Sequence, residues 1–244
     1  MGFLSAEPAG KREPKGRLLA IGDIHGCAEE LATMLKAIAP ASGDTIVFIG
    51  DYVDRGPSAH DAIEVLLTVE SSGAQAVFLK GNHEDMMLSF LGLPGHYGES
   101  FLFNGGADTL ESYGIHHYTQ EQALEQLPAQ HLDFLKHLTT SYHRPPFFFV
   151  HAGILPSVPL DQQVVEDMLW IRHEFIHNRH RLDATIVFGH TPMREILVDL
   201  PYKLGIDTGL VYGGKLSCVD FTQGVVHQVA RRSTRVRSRA LKVR

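Results

Sequence analysis

Five short polar blocks along this chain carry side chains that can do chemistry. They are Gly22-Asp23-Ile24-His25-Gly26, Gly50-Asp51-Tyr52-Val53-Asp54-Arg55-Gly56, Gly81-Asn82-His83-Glu84, His151-Ala152-Gly153 and Gly189-His190-Thr191. Together they offer carboxylates, an amide oxygen and imidazoles, and no thiolate. That mixture of hard oxygen and borderline nitrogen donors suits manganese, iron, zinc, nickel or cobalt better than calcium or magnesium, which prefer all-oxygen cages. The donors exceed what one tetrahedral ion takes, so two ions about 3.5–4 Å apart are expected. A bridge between them needs two oxygens, and Asp51, in the central block, is the natural one. Two divalent ions, offset by Asp23, Asp51 and a hydroxide, leave a net charge of about +1, and Arg55 raises it. Such a site draws a small phosphate-bearing group, whose oxygens match the planar fork of arginine.

Each block needs an element to position it. Residues 17–21, 45–49 and 76–79 are short apolar runs that read as buried strands. Residues 28–39, 59–69 and 85–91 read as helices, the first with Leu31, Met34, Leu35 and Ile38 at helical spacing. This alternation implies a parallel sheet with right-handed crossovers. Ligands of such sheets collect beyond the carboxyl ends of the strands, which would bring all five blocks to one edge. Residues 92–146 hold helical pieces at 107–112, 120–127 and 129–139 with no clear strand, and read as a mostly helical insertion. A strand at 147–150, a helix at 161–170 and a strand at 185–188 follow. The β-runs at 196–199, 215–220 and 225–229 read as antiparallel. The expected class is α/β, with α+β elements at the C-terminus.

The first three blocks are specific in their spelling, and with the last two they resemble the phosphoprotein phosphatase branch of the calcineurin-like metallophosphoesterases. That branch is related to the symmetrical diadenosine tetraphosphatases. The resemblance covers about residues 17–221 and implies a β-sandwich of two mixed sheets flanked by helices. It also implies roles for particular residues. Asp23, His25 and Asp51 match ligands of one metal, and Asp51, Asn82, His151 and His190 those of the other, with manganese first among the candidates. His83 matches a general acid oriented by Asp54, and Arg55 a phosphate clamp. Arg172 lies between the fourth and fifth blocks, where the family places a second phosphate arginine. Lys80 stands where relatives often carry Arg, and keeps the charge without the bidentate geometry; Asn82 and Lys80 are counted with the substrate contacts. The implied reaction is direct in-line attack on a phosphomonoester by a hydroxide bridging the ions, with no covalent phosphoenzyme. The alternative is symmetrical cleavage of a bis(5'-nucleosyl) tetraphosphate, which uses the same ligands. His25 and Glu84 favour the phosphatase, because the dinucleotide hydrolases often carry Gln and Asp there. An inactive binding module is a third reading, opposed by the intact ligand set and His83.

Composition sets the outer limits. The chain has 244 residues, 44% of them hydrophobic and 20% charged, as expected of a soluble globular protein. It has no apolar run long enough to span a bilayer. Residues 1–16 lack an apolar stretch and read as a disordered leader rather than a secretory signal, so a cytoplasmic protein is expected, with residues 17–230 as one domain. The formal charge is −6, but residues 231–244 hold seven basic residues and no acid. The other 230 residues carry a net −13, which argues against nucleic acid as a partner. The basic segment reads as a disordered tail able to contact an acidic partner. The partners expected are therefore a phosphorylated protein or a small phosphate ester. Of 15 histidines, four lie in the blocks; the other eleven, such as His131, are expected at the surface or in the core. His173-Glu174-Phe175-Ile176-His177 matches a zinc-protease pattern by chance. Asp207-Thr208-Gly209 reads as a turn near the rim, and residues 104–114, rich in glycine, read either as a substrate-facing lip or as a turn into a helix.

Overall fold

The computed structural model describes residues 16–242; the leader expected at 1–16 falls, except for Gly16, outside that range. The first half alternates as the apolar pattern dictates: β1 (Leu18–Ile21), α1 (Ala28–Ile38), β2 (Thr45–Phe48), α2 (Ala59–Leu67), β3 (Gln75–Phe78) and α3 (Asn82–Phe90). Next come α4 (Gly106–Ser112), α5 (Gln120–Gln126) and α6 (Ala129–Lys136). The second sheet begins with β4 (Ser141–Arg144) and β5 (Phe147–Val150), followed by α7 (Val165–Trp170), α8 (His173–Ile176), β6 (Thr185–Phe188), β7 (Leu197–Asp199) and β8 (Lys203–Gly205). β9 (Lys215–Asp220), β10 (Val225–Ala230) and β11 (Val236–Ala240) return to the first sheet.

The strands form a six-stranded sheet, β11-β10-β9-β1-β2-β3, and a five-stranded sheet, β4-β5-β6-β8-β7. β1, β2 and β3 are parallel, and β9, β10 and β11 extend that sheet antiparallel. Successive side chains of a strand face opposite sides, and this splits the apolar residues into layers. Leu18, Ala20, Val47 and Ile49 point inward to meet Phe149, Val187 and Leu204 of the other sheet. Leu19, Ile21, Ile46 and Phe48 point outward under Leu31, Met34, Ile63 and Leu66 of α1 and α2. On the far side Phe148, Val150, Ile186 and Phe188 pack under Met168, Ile171 and Phe175. The result is the expected sandwich of two mixed sheets between helices. Strands covered on both faces read as continuous apolar runs, which is why they were visible in the sequence.

Three expectations need correction, and one strand, β8, went unexpected. Residues 92–146 are not all helix and loop: β4 forms the edge of the second sheet, paired antiparallel with β5. β8, with a lysine in three residues, had no apolar signature. The helix read at 161–170 is shorter, starting at Val165. The basic stretch, over its described residues 231–242, is not the disordered tail expected, because it carries β11. β11 pairs along its length with β10, from Val229↔Val236 to Val225↔Ala240. Its alternation of Val236, Ser238 and Ala240 with Arg235, Arg237 and Arg239 is that of an edge strand guarded by charge.

Candidate metal centre and active site

The five blocks meet at the carboxyl ends of β1, β2, β3, β5 and β6, directly after β1, β5 and β6 and a residue or two beyond β2 and β3. They line or lie beneath a cavity of about 230 Å³ bordered by Asp23, His25, Arg55, Arg172, His190, Asp207 and Tyr212. The backbone is bent hard there. His25, Asp51, Asp54, Arg55 and His190 all have left-handed φ values, between 45° and 71°. Side chains other than glycine rarely adopt that region, and such residues gather at functional sites.

Glu84 holds much of this bend. It is fully buried, and its carboxylate accepts the backbone N–H groups of Asp51 (2.9 Å), Tyr52 (2.6 Å), Val53 (3.1 Å) and Gly81 (2.9 Å). Burial and the Asp51 charge push its pKa up, but four N–H donors favour the ionised form. Glu84 thus pins the second block to the N-terminus of α3. The approach is so close that a Cβ on Gly81 would lie 2.1 Å from Asp51 Oδ1. Its structural role was not evident from the sequence, although Glu84 stood in a block.

Around Asp51 the lone pairs converge. His25 donates Nδ1–H to Val53 O (2.8 Å), which leaves Nε2 to face Asp51 Oδ2 at 3.4 Å. His151 donates Nδ1–H to Ile49 O (2.9 Å). Its Nε2 then lies 3.0 Å from Asn82 Oδ1, 3.3 Å from Asp51 Oδ1 and 3.2 Å from His190 Nδ1. Burial lowers the pKa of all three imidazoles, that of His25 to about 3, so they are neutral at neutral pH. Asp51 is held low, because the imidazoles of His151, His83 and His25 outweigh its burial. His190 Nε2 is buried with no hydrogen-bond partner. Acceptors aimed at one another without hydrogens between them call for cations. The donor atoms of His25, Asp51 and His83 lie within 4.8 Å of one another, as do those of Asp51, His151 and His190. This donor set fits divalent metal ions, and Asp51 belongs to both groups.

Other expected residues take more varied places. Asp23 is buried in the same cavity but belongs to neither tight group; its oxygens accept His190 N–H at 3.0 and 3.3 Å. Burial, then Asp207 and Asp51, push its pKa well up. His83 Nδ1 is 2.6 Å from Asp54 Oδ2, with both side chains shut off from solvent. Asp54 also accepts the Thr109 hydroxyl at 2.7 Å, and Thr109 in turn accepts Asp54 N–H at 2.8 Å. Burial raises Asp54, while Asp51 and Asp54 overcome burial to raise His83; the two share one proton and titrate as a unit. Arg55 reaches His25 Nε2 at 3.1 Å and stacks 5.7 Å from the Tyr212 ring. Gly105 lies under it, where a Cβ would be 2.7 Å from Arg55 Cγ. Arg172 donates to His190 O (3.0 Å) and Thr191 Oγ1 (3.3 Å).

Lys80 does not join the cavity lining; its ammonium lies 3.4 Å from Asp85. The glycine-rich stretch does reach the site, through Gly105 and Thr109. Asp207 does make the expected turn after β8, its Oδ1 accepting Gly209 N–H at 2.9 Å, and it is also a buried wall of the cavity, with a pKa that burial pushes up to about 6. Its signal was present in Asp207-Thr208-Gly209, but a lone carboxylate had no partner to name. The chance zinc-protease pattern lies on α8, with its His173 and His177 rings 5.5 Å apart.

The comparisons agree with this geometry. A family profile described as calcineurin-like phosphoesterase matches residues 16–220. Serine/threonine-protein phosphatase 1 of Salmonella typhimurium is 32% identical over 202 residues, covering 81% of this chain and 88% of the relative. An asymmetrical bis(5'-nucleosyl)-tetraphosphatase of Oceanobacillus iheyensis is 27% identical, covering 87% and 91%. A crystal structure described as that of a candidate diadenosine tetraphosphatase superposes with a TM-score of 0.66 at 25% identity, covering 89% and 95%.

Proposed function

This chain belongs to the calcineurin-like phosphoesterase family and is a phosphoester hydrolase; from that premise we propose that it removes phosphate from phosphomonoesters, in the manner of a serine/threonine protein phosphatase. The observation that carries the reading is the position of Asp51, buried with His25 Nε2 against its Oδ2 and His151 Nε2 against its Oδ1, next to a cavity walled by His25, His190, Arg55 and Arg172. Asp51 with His25 and Asp23 would hold one ion, and Asp51 with Asn82, His151 and His190 the other. Manganese heads the candidates, followed by iron, zinc, nickel and cobalt. When bound, such ions supply the positive charge that activates a water nucleophile and polarises phosphoryl oxygens.

The chain's own residues do the rest. Arg55 and Arg172 hold the equatorial oxygens, where charge spreads as the nucleophile enters in line. The Tyr212 ring faces the Arg55 guanidinium, and Gly105 gives room to the Arg55 backbone and Cγ at the root of the side chain. His83, with Nδ1 occupied by Asp54, has Nε2 free to protonate the departing oxygen. Asp54 positions that ring and Thr109 positions Asp54. The cavity, at about 230 Å³, is smaller than the usual ligand pocket of about 300–1,000 Å³. It encloses a phosphoryl group and leaves the remainder of the substrate outside, which suits a phosphorylated side chain or a small ester.

The second reading is hydrolysis of a dinucleoside tetraphosphate. The relative from Oceanobacillus iheyensis favours it, and that enzyme is of the asymmetrical kind rather than the symmetrical kind first considered. Purified protein with manganese, offered a phosphopeptide, an aryl phosphate and diadenosine tetraphosphate in parallel, separates the two. Preference for the phosphopeptide or aryl phosphate supports the proposal, and preference for the dinucleotide reverses it. We place the protein in the cytoplasm, since Cys27 and Cys218 are both free and buried, which fits a reducing compartment. No helix among the described residues is long and apolar enough to cross a membrane. Arg237 and Arg239 on β11, with Arg235 just before it, line a surface groove and are the place for an acidic partner.

A further inference from the structure

A second constellation lies away from the cavity, where α2 meets α4 and α6. We propose that His60, Glu64 and His131 form a separate binding site for one transition-metal ion of the zinc type. Their donor atoms fall within 4.8 Å of one another. His60 and Glu64 are four residues apart on α2, so they share one face of the helix. His131 comes across from α6.

The hydrogen bonds select the ligand atoms. His60 Nδ1 is 2.9 Å from Asp61 Oδ1. A carboxylate only accepts, so Nδ1 carries the hydrogen and Nε2 keeps its lone pair for a ligand. His131 Nδ1 is 2.8 Å from the Tyr113 hydroxyl, and its Nε2 is 2.9 Å from Glu64 Oε1. In His131 the Nε2–H donates to the Glu64 carboxylate while Nδ1 accepts the Tyr113 hydroxyl; an ion would displace the Nε2 hydrogen, and the other tautomer, with Nδ1–H donating to the Tyr113 oxygen, keeps the ring anchored and turns the Nε2 lone pair to the metal. Histidine ligands are held this way by outer partners that fix ring orientation. The His60 ring lies 5.2 Å from those of both His131 and Tyr113, so these side chains form one packed group. Burial lowers the pKa of His131, which keeps it in the neutral form that binds metal.

Two imidazole nitrogens and a carboxylate oxygen are three of the four donors a tetrahedral zinc ion needs, with water as the fourth. Tetrahedral donors stand about 3.3–3.5 Å apart. The Glu64 side chain is 56% exposed, so it is free to move back from His131 by the half ångström required. His131 is buried while His60 is partly open, giving an ion an entry path from solvent. An ion here ties α2 of the first sheet's helical layer to Tyr113 and α6 of the insertion that shapes the lip around Arg55.

The test compares the full-length protein with His60→Ala and Glu64→Gln. Both change side chains that are partly exposed, so folding is preserved, and circular dichroism checks it. Each protein is dialysed to equilibrium against micromolar free zinc and its metal content is measured. Wild type is expected to hold one zinc equivalent more than either variant, and zinc should raise its melting temperature more than theirs. Aryl phosphatase activity with manganese should be unchanged in both variants. Equal zinc content in all three proteins would overturn the proposal and leave the Glu64–His131 contact as an ordinary hydrogen bond. Because the variants leave the cavity intact, failure here does not bear on the phosphatase reading.

Discussion

The His83–Asp54 pair gives the sharpest quantitative expectation. Replacing Asp54 by Asn keeps the shape but removes the charge. The new amide can place its oxygen toward His83 Nδ1–H and its NH2 toward the Thr109 hydroxyl, so the ring stays where it is. What is lost is the charged character of a 2.6 Å hydrogen bond inside a pair shut off from solvent. Hydrogen bonds to charged groups contribute about 1.5–3 kcal/mol, which is roughly a 10- to 100-fold fall in kcat. His83→Asn should cost more, about 10²–10⁴-fold, because it removes the proton donor itself. The double variant should be no slower than His83→Asn alone, since Asp54 acts only through His83. The assay is kcat on an aryl phosphate with saturating manganese, with metal content measured on the same preparations. Metal content should hold in Asp54→Asn, whose carboxylate lies outside both donor groups. Full activity in Asp54→Asn, or losses that multiply in the double variant, would refute the assignment.

Three further outcomes are expected. Glu84→Gln should strip charge from the carboxylate that accepts four N–H groups; a loss of about 3 kcal/mol and a melting temperature lower by roughly 6–12 °C should show in thermal unfolding, and an unchanged midpoint would contradict its role. Arg17 bonds hold Asp44 below the ordinary carboxylate range against the effect of burial. That stabilisation is present above the unfolded value of about 3.9 and is lost as pH falls through the lower folded pKa. The melting-temperature gap between wild type and Asp44→Asn should therefore hold near neutrality and close in acid, and a gap independent of pH would refute it. Tyr212→Ala should free Arg55 and raise KM for an aryl phosphate by roughly threefold to tenfold, the scale of a cation–π contact, with little change in kcat.

Much of the site was legible because its residues sit where pattern and chemistry coincide. The parallel strands β1, β2, β5 and β6 are buried on both faces, so each is a plain apolar run stopping at a polar block. Asp51, His25, His151 and His190 could be grouped because ligands of such a sheet gather at one edge. Glu84 and Thr109 were harder to see, because they act on backbone and on Asp54 rather than on a ligand, and only contact reveals that. His60 and His131 are 71 positions apart on helices whose relative placement no periodicity encodes. β11 was hidden by its charge: its arginines face solvent on an edge, and only the alternate residues reveal a strand. Lys80 was placed by analogy with relatives, and the structure turns it toward Asp85 instead.

The central claim is that Asp51 is shared by two cations, and anomalous scattering from crystals grown with manganese tests it most directly. Two peaks about 3.5–4 Å apart, one on each side of the Asp51 carboxylate and flanked by His25 and by His151 with His190, are the predicted result. A single peak, or two peaks of which only one touches Asp51, would contradict it.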